Sequence, residues 1–420
     1  MKKCKYIVLT NNRVKSLNSG PIGKYVNSFI ELLVKQGFST EYIPKRLGII
    51  ADLNRWIVNK KLKVSNLDSK KVLDFMSDHN SRFESVDRGV HRATLNLFIN
   101  FLQEKGMIQK PKILVMLNAK DKILFKFDEH LDKQKGLSKS TRIYYRRYIR
   151  MFLLEIFGSK KIDFRKLNAK YVLYFIRKLS EAISPKQSQL VTTALRSFFQ
   201  YIRLIGKINI DLSNYVPTVA NKSGENIPEI LSQKEVNKLL MACNQNNPMG
   251  IRDYAILLLL SRLGLRSCEI IQLTLDDIDW DRGTISIQRK GTKQDQLPID
   301  RDIGKAIIRY LKCGRPAYQG RQLFLSVMPP LRGIGSSATV GTIVKTALER
   351  AGLNTRNKGA HLLRHTAATR ILRNGATLSE VGNILGHQSH QTTAIYAKVD
   401  FKKLNALAQP WPCSINGGVV

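Results

Sequence analysis

The sequence lacks any pair of cysteines at a spacing typical of disulfide frameworks or zinc sites. Its five cysteines are scattered and form no C-x-x-C pair: Cys4, Cys243, Cys268, Cys313 and Cys413. A disulfide framework and a cysteine zinc knuckle are therefore excluded. The sequence also lacks an apolar run near the roughly 18 residues that a membrane-spanning helix needs. The longest run, YAILLLL at 254–260, indicates a buried core helix, and the N-terminal KYIVLTNN is too short for a signal peptide. We expect a cytoplasmic protein with no membrane partner.

Acidic side chains are scarce. The 420 residues hold 32 Asp and Glu against 69 Lys and Arg, so the formal net charge is +37. Such an excess of positive charge repels itself in a folded protein, and a polyanionic partner, usually nucleic acid, offsets it. Both halves of the chain are basic, which suits a protein that grips nucleic acid from more than one side. The length is enough for two or three domains.

Two helical segments of the chain resemble each other. Residues 24–108 and 122–208 both show apolar residues at helical spacing. LDSKKVLDFM, from Leu67, matches LNAKYVLYFI, from Leu167, and ATLNLFINFLQEKGMI matches TALRSFFQYIRLIGKI at the same offset. This pattern predicts an internal duplication of a helical unit. We predict an N-terminal helical domain over 1–118, a second one over 119–208, an extended linker over 209–228 and a compact domain over 229–420.

The second repeat contains LSKSTRIYYRRYIRMF, in which Ser138 or Ser140 can cap a helix. Arg142, Arg146 and Arg150 then lie at i, i+4 and i+8 on one face of that helix. Arginines in such a stripe can reach phosphates and guanine edges along a DNA groove. The alternative is a solvated basic face.

The C-terminal domain is predicted to be helical with a small β-hairpin. LSQKEVNKLL has Ser232 and Glu235 at capping-box spacing, and the buried helix that follows ends at Gly264. Strands over 284–288 and 296–299 are predicted to flank a turn at 289–293, which carries Lys290. The predicted fold class is mainly α, multidomain, with a small β-hairpin or sheet in the C-terminal domain.

This domain also holds the residues that metal-free phosphoryl transfer needs. The candidate catalytic set is Arg266, Lys290, His361, Arg364, His387 and Tyr396. Two guanidiniums can hold the non-bridging oxygens of a phosphodiester, over which the transition state spreads negative charge. A phenol has a pKa near 10, so it becomes a nucleophile only with help from a neighbouring imidazole or guanidinium. A lysine can donate the proton that the leaving sugar oxygen takes.

In these motifs residues 229–400 resemble the catalytic domain of the tyrosine site-specific recombinases, the phage-integrase family. The motifs are Arg266 in GLRSCE, Lys290 in the hairpin, His361 and Arg364 in HLLR, His387 in LGH, and Tyr396. The resemblance implies that the two arginines clamp the scissile phosphate of double-stranded DNA and that Lys290 protonates the 5′ oxygen. It also implies that His361 acts in proton transfer, that His387 hydrogen-bonds the phosphate and that Tyr396 forms a covalent 3′-phosphotyrosyl link.

The resemblance implies further properties of the whole chain. No cofactor or metal is expected. Residues 122–208 are similar to the family's core-binding domain, and the tail FKKLNALAQPW (401–411) resembles the segment that docks onto a neighbouring subunit. A homotetramer on paired DNA sites is therefore implied. The first repeat is unlike the small β-sheet module of several phage integrases, which points to a transposon-type or otherwise divergent recombinase. The expected setting is a mobile element in the bacterial cytosol, with the protein associated with the nucleoid.

Several alternatives stay open at the level of sequence. Arg289 precedes Lys290 where the family often has Gly-Lys-Gly, so Lys293 is a second candidate for the general acid. His365 is interpreted as a structural residue or as one that supports the catalytic side chains, and Glu269 as a residue that orients Arg266. A catalytically silent DNA-binding protein of the same fold is a rival function. Another is a metal nuclease, whose candidate zinc ligands are His361, His365, His387 and His390.

Overall fold

The computed structural model describes most of the chain. The described residues are 17, 20–67, 69–79, 85–108, 119–158, 160, 162–219, 228–289, 294–387, 393, 395 and 396. They belong to two compact units, Met1–Lys110 with Ile227–Val420, and Pro111–Asn226. Among them, no helix combines the length and the apolar character needed to cross a membrane.

The first helical repeat is a small helical bundle around an aromatic core. Its elements are α1 (Gly23–Lys35), α2 (Ile43–Asn59), a 3₁₀ turn (Val64–Asn66), α3 (Ser69–His79) and α4 (Ser85–Glu104). Phe29 of α1 meets Phe98 of α4 edge to face at 4.9 Å, and Trp56 meets Phe75 at 5.8 Å. The first pair joins α1 to α4 and the second joins α2 to α3, and all four helices bury apolar side chains in one common core.

The second helical repeat has the same order of elements. They are α5 (Ala119–Lys133), α6 (Lys139–Phe157), a 3₁₀ turn (Phe164–Lys166), α7 (Ala169–Ser180) and α8 (Pro185–Leu204). Phe127 of α5 meets Phe198 of α8 edge to face at 5.2 Å. The Ser138 side chain caps α6, as its sequence predicts.

The two repeats agree in detail from the 3₁₀ turn onward. The turns, the first residues of α3 and α7, and both ends of α4 and α8 lie 100 residues apart. Each repeat then ends in a left-handed glycine, with φ 71° at Gly106 and 65° at Gly206. Shared order, shared aromatic pairing and the shared terminal turn support the duplication predicted from the sequence.

The C-terminal part is helical with one small antiparallel sheet. Its helices are α9 (Gln233–Met241), α10 (Pro248–Leu263), α11 (Ser267–Gln272), α12 (Arg301–Arg309), a π turn (Tyr310–Gly314), α13 (Ser337–Arg350), α14 (Ala360–Arg373) and α15 (Leu378–Leu385). The sheet runs in the order β1 (Ile278–Asp279), β2 (Thr284–Gln288) and β3 (Gln294–Pro298). The mainly α fold class with a small sheet is confirmed.

The hairpin differs from its prediction in one strand. β2 has the predicted bounds and buries Ile285 and Ile287. The partner strand covers 294–298 instead of 296–299, because Ile285 faces Leu297 and the pairing then continues to Gln294 opposite Gln288. The ends of β3 are fixed by its pairing register with β2, and the pattern of apolar residues alone does not specify that register. The short β1 was not predicted, since two residues carry no alternation.

Helix α10 lies at the centre of the C-terminal core. Its residues from Ala255 to Ser261 are all buried, and Asn247 caps its start by accepting from the N–H of Gly250. A helix that is apolar all round must be enclosed by other elements. α12, α13 and α14 contact it, and α14 carries several of the candidate site residues.

We expect Phe98→Ala to destabilise the first repeat by about 3–5 kcal/mol, because the ring is fully buried and its removal leaves a cavity. Amide hydrogen exchange in α4, followed by mass spectrometry on the whole chain, should accelerate by about a hundredfold or more. Val90→Ala is the control, since Val90 is exposed on the same helix. Equal exchange in the two variants would contradict the proposed core.

Candidate active site

The site begins where α10 ends. Gly264 takes the left-handed conformation with φ 64° and stops the helix, and Arg266 follows immediately before α11. A side chain at position 264 would lie 2.7 Å from the side chain of Leu385. Glycine is therefore required here both by the backbone conformation and by the close approach of α15.

Arg364 is buried in the middle of this arrangement, with 4 % of its surface exposed. It projects from α14, and its Nη1 donates to the carbonyl of Gly264 at 2.7 Å. Its Nη2 donates to the carbonyl of Leu385 at 2.6 Å. Burial, followed by repulsion from Arg266, lowers the pKa of Arg364 to about 10. The guanidinium therefore keeps its charge at neutral pH.

Three consecutive carbonyls at the end of α15 each accept a hydrogen bond from a different arginine. Arg289 Nη2 donates to Ile384 at 2.8 Å, Arg364 Nη2 to Leu385 at 2.6 Å, and Arg266 Nη2 to Gly386 at 2.9 Å. The last carbonyls of a helix have no partner within the helix and carry the negative end of its dipole. This helix end therefore collects three guanidiniums; we call these arginines and carbonyls the arginine cluster.

Two carboxylates offset part of this charge. Glu269 Oε1 accepts from Arg266 Nη1 at 2.7 Å and lies 3.0 Å from Arg289 Nη1. Asp295 of β3 accepts from Arg289 Nε at 3.1 Å. Three guanidiniums against two carboxylates leave a net positive charge, which favours an anionic ligand. The side chain of Arg266 is 29 % exposed and that of Arg289 only 4 %, so Arg266 is the more accessible to such a ligand.

Tyr396 is almost fully buried beside the arginine cluster. Its ring packs with Ala368, Leu372, Val381 and Leu385. Its Oη lies 3.0 Å from Nδ1 of His365. Burial raises the pKa of Tyr396, and the charges of Arg364 and Arg266 act in the opposite direction.

His387 lies against the other side of this tyrosine. The two rings are nearly parallel, at 6° and 6.2 Å between centres. His387 Nδ1 is 2.8 Å from Thr393 Oγ1. Burial, then the charges of Arg364 and Arg266, lowers the pKa of His387 to about 4, so the ring is neutral at pH 7.

The structure thus brings together four residues of the predicted catalytic set, Arg266, Arg364, His387 and Tyr396. His361 lies in the first turn of α14, where it is exposed, with its ring centre 6.4 Å from that of His365. Lys290, Lys293, His390 and the tail 401–411 lie outside the described residues.

Two further residues that contact the site, His365 and Arg289, are not in the predicted catalytic set. His365 was interpreted as structural or as a support for the catalytic side chains, and it meets the phenol of Tyr396 directly. Its position next to Arg364 and four residues after His361 was a usable signal, because i and i+4 share a helix face. Arg289 was noted only as a departure from the family pattern. The acidic residue Asp295, on the opposite strand of the hairpin, was the sequence signal that Arg289 could form an ion pair.

The arginine stripe of the second repeat also has partners. Arg142, Arg146 and Arg150 share one face of α6, as their spacing predicts. That face meets acidic residues of α5: Arg142 Nη1 lies 3.1 Å from Asp128 and Arg150 pairs with Asp121. The stripe thus contributes to the packing of α5 on α6, and its contact with DNA stays a prediction.

Metal binding was the basis of one rival function. Within the part of the chain that the structure describes, no three His, Cys, Asp or Glu side chains form a group that could hold a metal ion. His365 and His387 each direct Nδ1 toward a hydroxyl group. His390, the fourth candidate ligand, lies outside the described residues.

Comparison with known proteins adds independent observations. Residues 229–403 match the family model described as "Phage integrase family", and residues 124–204 match "Phage integrase, N-terminal SAM-like domain". The chain is 37 % identical to "Putative integrase/recombinase y4rA" of Sinorhizobium fredii, across 97 % of this chain and 99 % of that protein. It is 31 % identical to "Tyrosine recombinase XerD" of Listeria innocua, across 63 % of this chain and 90 % of that protein.

A solved structure shares the fold. It is the crystal structure of the XerH site-specific recombinase bound to its palindromic difH substrate in a post-cleavage complex. The TM-score is 0.55 at 22 % identity, with 69 % of this chain and 84 % of that chain covered.

We expect Gly386→Ala to lose more stability than Gly352→Ala. Both glycines have φ near +60°, where a side chain costs about 1–2 kcal/mol. At Gly386 the added carbon would also lie 2.7 Å from Arg289 Nε, whereas at Gly352 the nearest atom is 3.9 Å away. Urea unfolding followed by circular dichroism measures the difference.

The same comparison in an Arg289→Ala background is the control. Without the guanidinium, the cost of Gly386→Ala should fall to that of Gly352→Ala, because contacting residues are energetically coupled. An unchanged cost in that background would show that Arg289 does not occupy this position.

Proposed function

This chain belongs to the phage integrase family, the tyrosine recombinases that cleave and rejoin DNA, and we propose that it acts through a covalent 3′-phosphotyrosyl link at Tyr396. One observation carries the proposal. The phenol lies beside two arginines and two histidines, in a site that α10, α14 and α15 assemble. A tyrosine that only filled space in a hydrophobic core would not require the positively charged arginine cluster beside it.

Arg266 and Arg364 are proposed to clamp the scissile phosphate. A guanidinium has five N–H donors, and among the described residues the terminal nitrogens of each of these two arginines make two hydrogen bonds. Donors therefore remain for the non-bridging oxygens of a phosphodiester. The carbonyls that hold the arginines fix their positions before DNA arrives, so little reorganisation accompanies the reaction.

His387 is proposed to donate a hydrogen bond to the phosphate through Nε2. The ring is neutral, and Nδ1 is engaged by the hydroxyl of Thr393. If Thr393 donates to Nδ1, the ring proton resides on Nε2, where it can reach an oxygen of the ligand. Lys290, or alternatively Lys293, is proposed as the acid for the 5′ oxygen, and His361 is proposed to act in proton transfer at the exposed edge.

The rest of the chain is proposed to bind double-stranded DNA around this site. We propose domains over 1–118, 119–208 and 229–420, with the linker at 209–228. The net charge of +37 and the match of residues 124–204 to an integrase N-terminal domain support DNA binding by the second repeat. The shared architecture suggests that the first repeat grips DNA in the same way.

Exchange of strands between two duplexes is proposed to require four copies of the chain. Two duplexes have four strands, and each Tyr396 can hold one strand end. The tail 401–411 is proposed to link neighbouring copies. The proposed setting is a mobile element in the bacterial cytosol, where the protein meets DNA in integration or transposition.

Tyr396→Phe is expected to abolish covalent attachment to DNA and to leave DNA affinity unchanged, because the hydroxyl forms the bond and the basic surface gives the affinity. A nicked suicide substrate, whose released strand diffuses away, traps the adduct for detection by denaturing electrophoresis. Adduct from the phenylalanine variant at normal yield would remove the proposed nucleophile.

Two controls accompany this test. Arg364→Ala should slow cleavage by about 10²–10³, the usual loss of one preorganised donor. Wild-type cleavage should persist in EDTA. Loss of cleavage in EDTA with recovery in zinc would favour the histidine-ligated nuclease, and DNA binding with no adduct from the wild type would favour the silent DNA-binding protein.

The proposed contact of the arginine stripe with DNA is tested by two matched variants. If Arg150 contacts a phosphate, Arg150→Gln should weaken binding and lower the salt slope by about 1. Asp121→Asn should strengthen binding, since it frees the same guanidinium and removes a negative charge. Unchanged affinity in both variants, measured by fluorescence anisotropy, would leave the stripe with a packing role alone.

A further inference from the structure

The contact between His365 and Tyr396 has no role in the proposed function so far. His365 is half-buried on α14, directly after Arg364, and its Nδ1 lies 3.0 Å from the phenol oxygen. Among the described residues, this imidazole is the only hydrogen-bonding partner of that oxygen. A neutral phenol carries one proton, and an imidazole nitrogen can accept it.

Attack on phosphorus requires the phenol to lose this proton. Arginines cannot take it, because a guanidinium has no free lone pair. His387 Nδ1 is engaged by Thr393, and His361 lies one helical turn away from His365 at the exposed edge of the site. Of the described residues, His365 alone places a ring nitrogen within hydrogen-bonding distance of the reacting oxygen, and this nitrogen is an acceptor in the tautomer that carries its proton on Nε2.

We propose that His365 is a further catalytic residue that accepts the phenol proton at Nδ1 as Tyr396 attacks DNA; this rests on the proposed function. The Oη–H bond breaks with its proton passing to His365, and the Oη–P bond forms. The P–O5′ bond breaks, and the 5′ oxygen takes a proton from the lysine of the hairpin. Rejoining runs the same steps backward, with His365 returning the proton to Oη.

The groups around His365 are compatible with this role. Burial, then the neighbouring His361 and Arg364, lowers the pKa of His365 to about 4. Its basic form is thus fully present above that pH, across the neutral range. The ring also faces Tyr396, whose own ring stacks with that of His387, and both of these groups are neutral there. Since an imidazole of low pKa does not ionise a free phenol, the proton moves only while the Oη–P bond forms and the oxygen loses its basicity.

Position on α14 ties this base to the phosphate clamp. Arg364 and His365 are consecutive residues of one helix, and the carbonyls of Gly264 and Leu385 hold the guanidinium of Arg364. The positions of His365, Arg364 and Tyr396 are therefore fixed relative to one another. A residue that only filled space at position 365 would not need a nitrogen directed at Oη.

The test separates proton transfer from positioning. His365→Asn places an amide oxygen near the position of Nδ1, so the hydrogen bond can remain, but an amide is not protonated near neutral pH. His365→Gln is a second variant without basicity. Single-turnover adduct formation on the nicked substrate is measured from pH 6 to 9, with DNA affinity and circular dichroism recorded to verify folding.

We expect both amide variants to bind DNA normally and to cleave about 10²–10⁴ more slowly at pH 7. Their rates should rise about tenfold per pH unit, because the phenol must then ionise to solvent before attack. The cleavage rate of the wild type should not change with the protonation of His365 between pH 6 and 9, because this base is already deprotonated across that range. A wild-type rate with a flat profile in His365→Asn would overturn the proposal and reduce His365 to a positioning residue.

A substrate with sulfur in place of the 5′ bridging oxygen gives a second readout. A thiolate leaves without a proton, so this substrate should rescue the alanine variant of whichever lysine is the acid, Lys290 or Lys293, and leave His365→Asn slow. Rescue of His365→Asn would assign its defect to the leaving group and overturn the proposal. Adduct formation by Tyr396→Phe is a different failure, since it would overturn the proposed function itself.

Discussion

The candidate site depends on the C-terminal end of α15. Its last carbonyls have no partner within the helix, and burying them without donors would cost about 1–3 kcal/mol each. Arg289, Arg364 and Arg266 supply those donors from three different parts of the chain. The carbonyls at this helix end need hydrogen-bond donors, and the arginines that supply them also form the cationic site.

The nucleophile lies close to the same helix end. Gly386 turns the backbone into the left-handed conformation, and His387 and Tyr396 follow within ten residues. The phenol ring belongs to the same apolar cluster as Leu385, the residue whose carbonyl accepts from Arg364. Burial opposes ionisation of the phenol, and the charges of Arg364 and Arg266 favour it. A phosphate bound to these arginines would offset their charge and so change how strongly they favour ionisation of the phenol.

The two helical repeats show how one architecture accommodates different polar contacts. Both keep an edge-to-face aromatic pair between their first and fourth helices. In the second repeat, arginines of α6 meet aspartates of α5. In the first, Arg46 instead donates to Thr94 and lies over the ring of Phe38. Apolar packing conserves the bundle, while the charged pairs between its helices are free to differ.

Local patterns determined much of this protein. Helix caps at Ser138 and Ser232 and the alternation of Ile285 and Ile287 depend on neighbours within a few residues, so the sequence alone predicted them. Each recombinase motif is likewise a short stretch, and the sequence itself shows the order of the motifs. The duplication was visible in the sequence because the two repeats have apolar residues at matching positions, which gives matching buried faces on their helices.

Only the tertiary structure decided which faces meet. His365 reaches Tyr396 across 31 positions and Arg289 reaches Ile384 across 95, and no periodicity encodes such distances. The stripe at Arg142 was predicted correctly as a face, but the acidic partner on α5 came from packing. A periodic sequence specifies the apolar and polar sides of one element. The burial of all elements together selects the partner of each polar side chain.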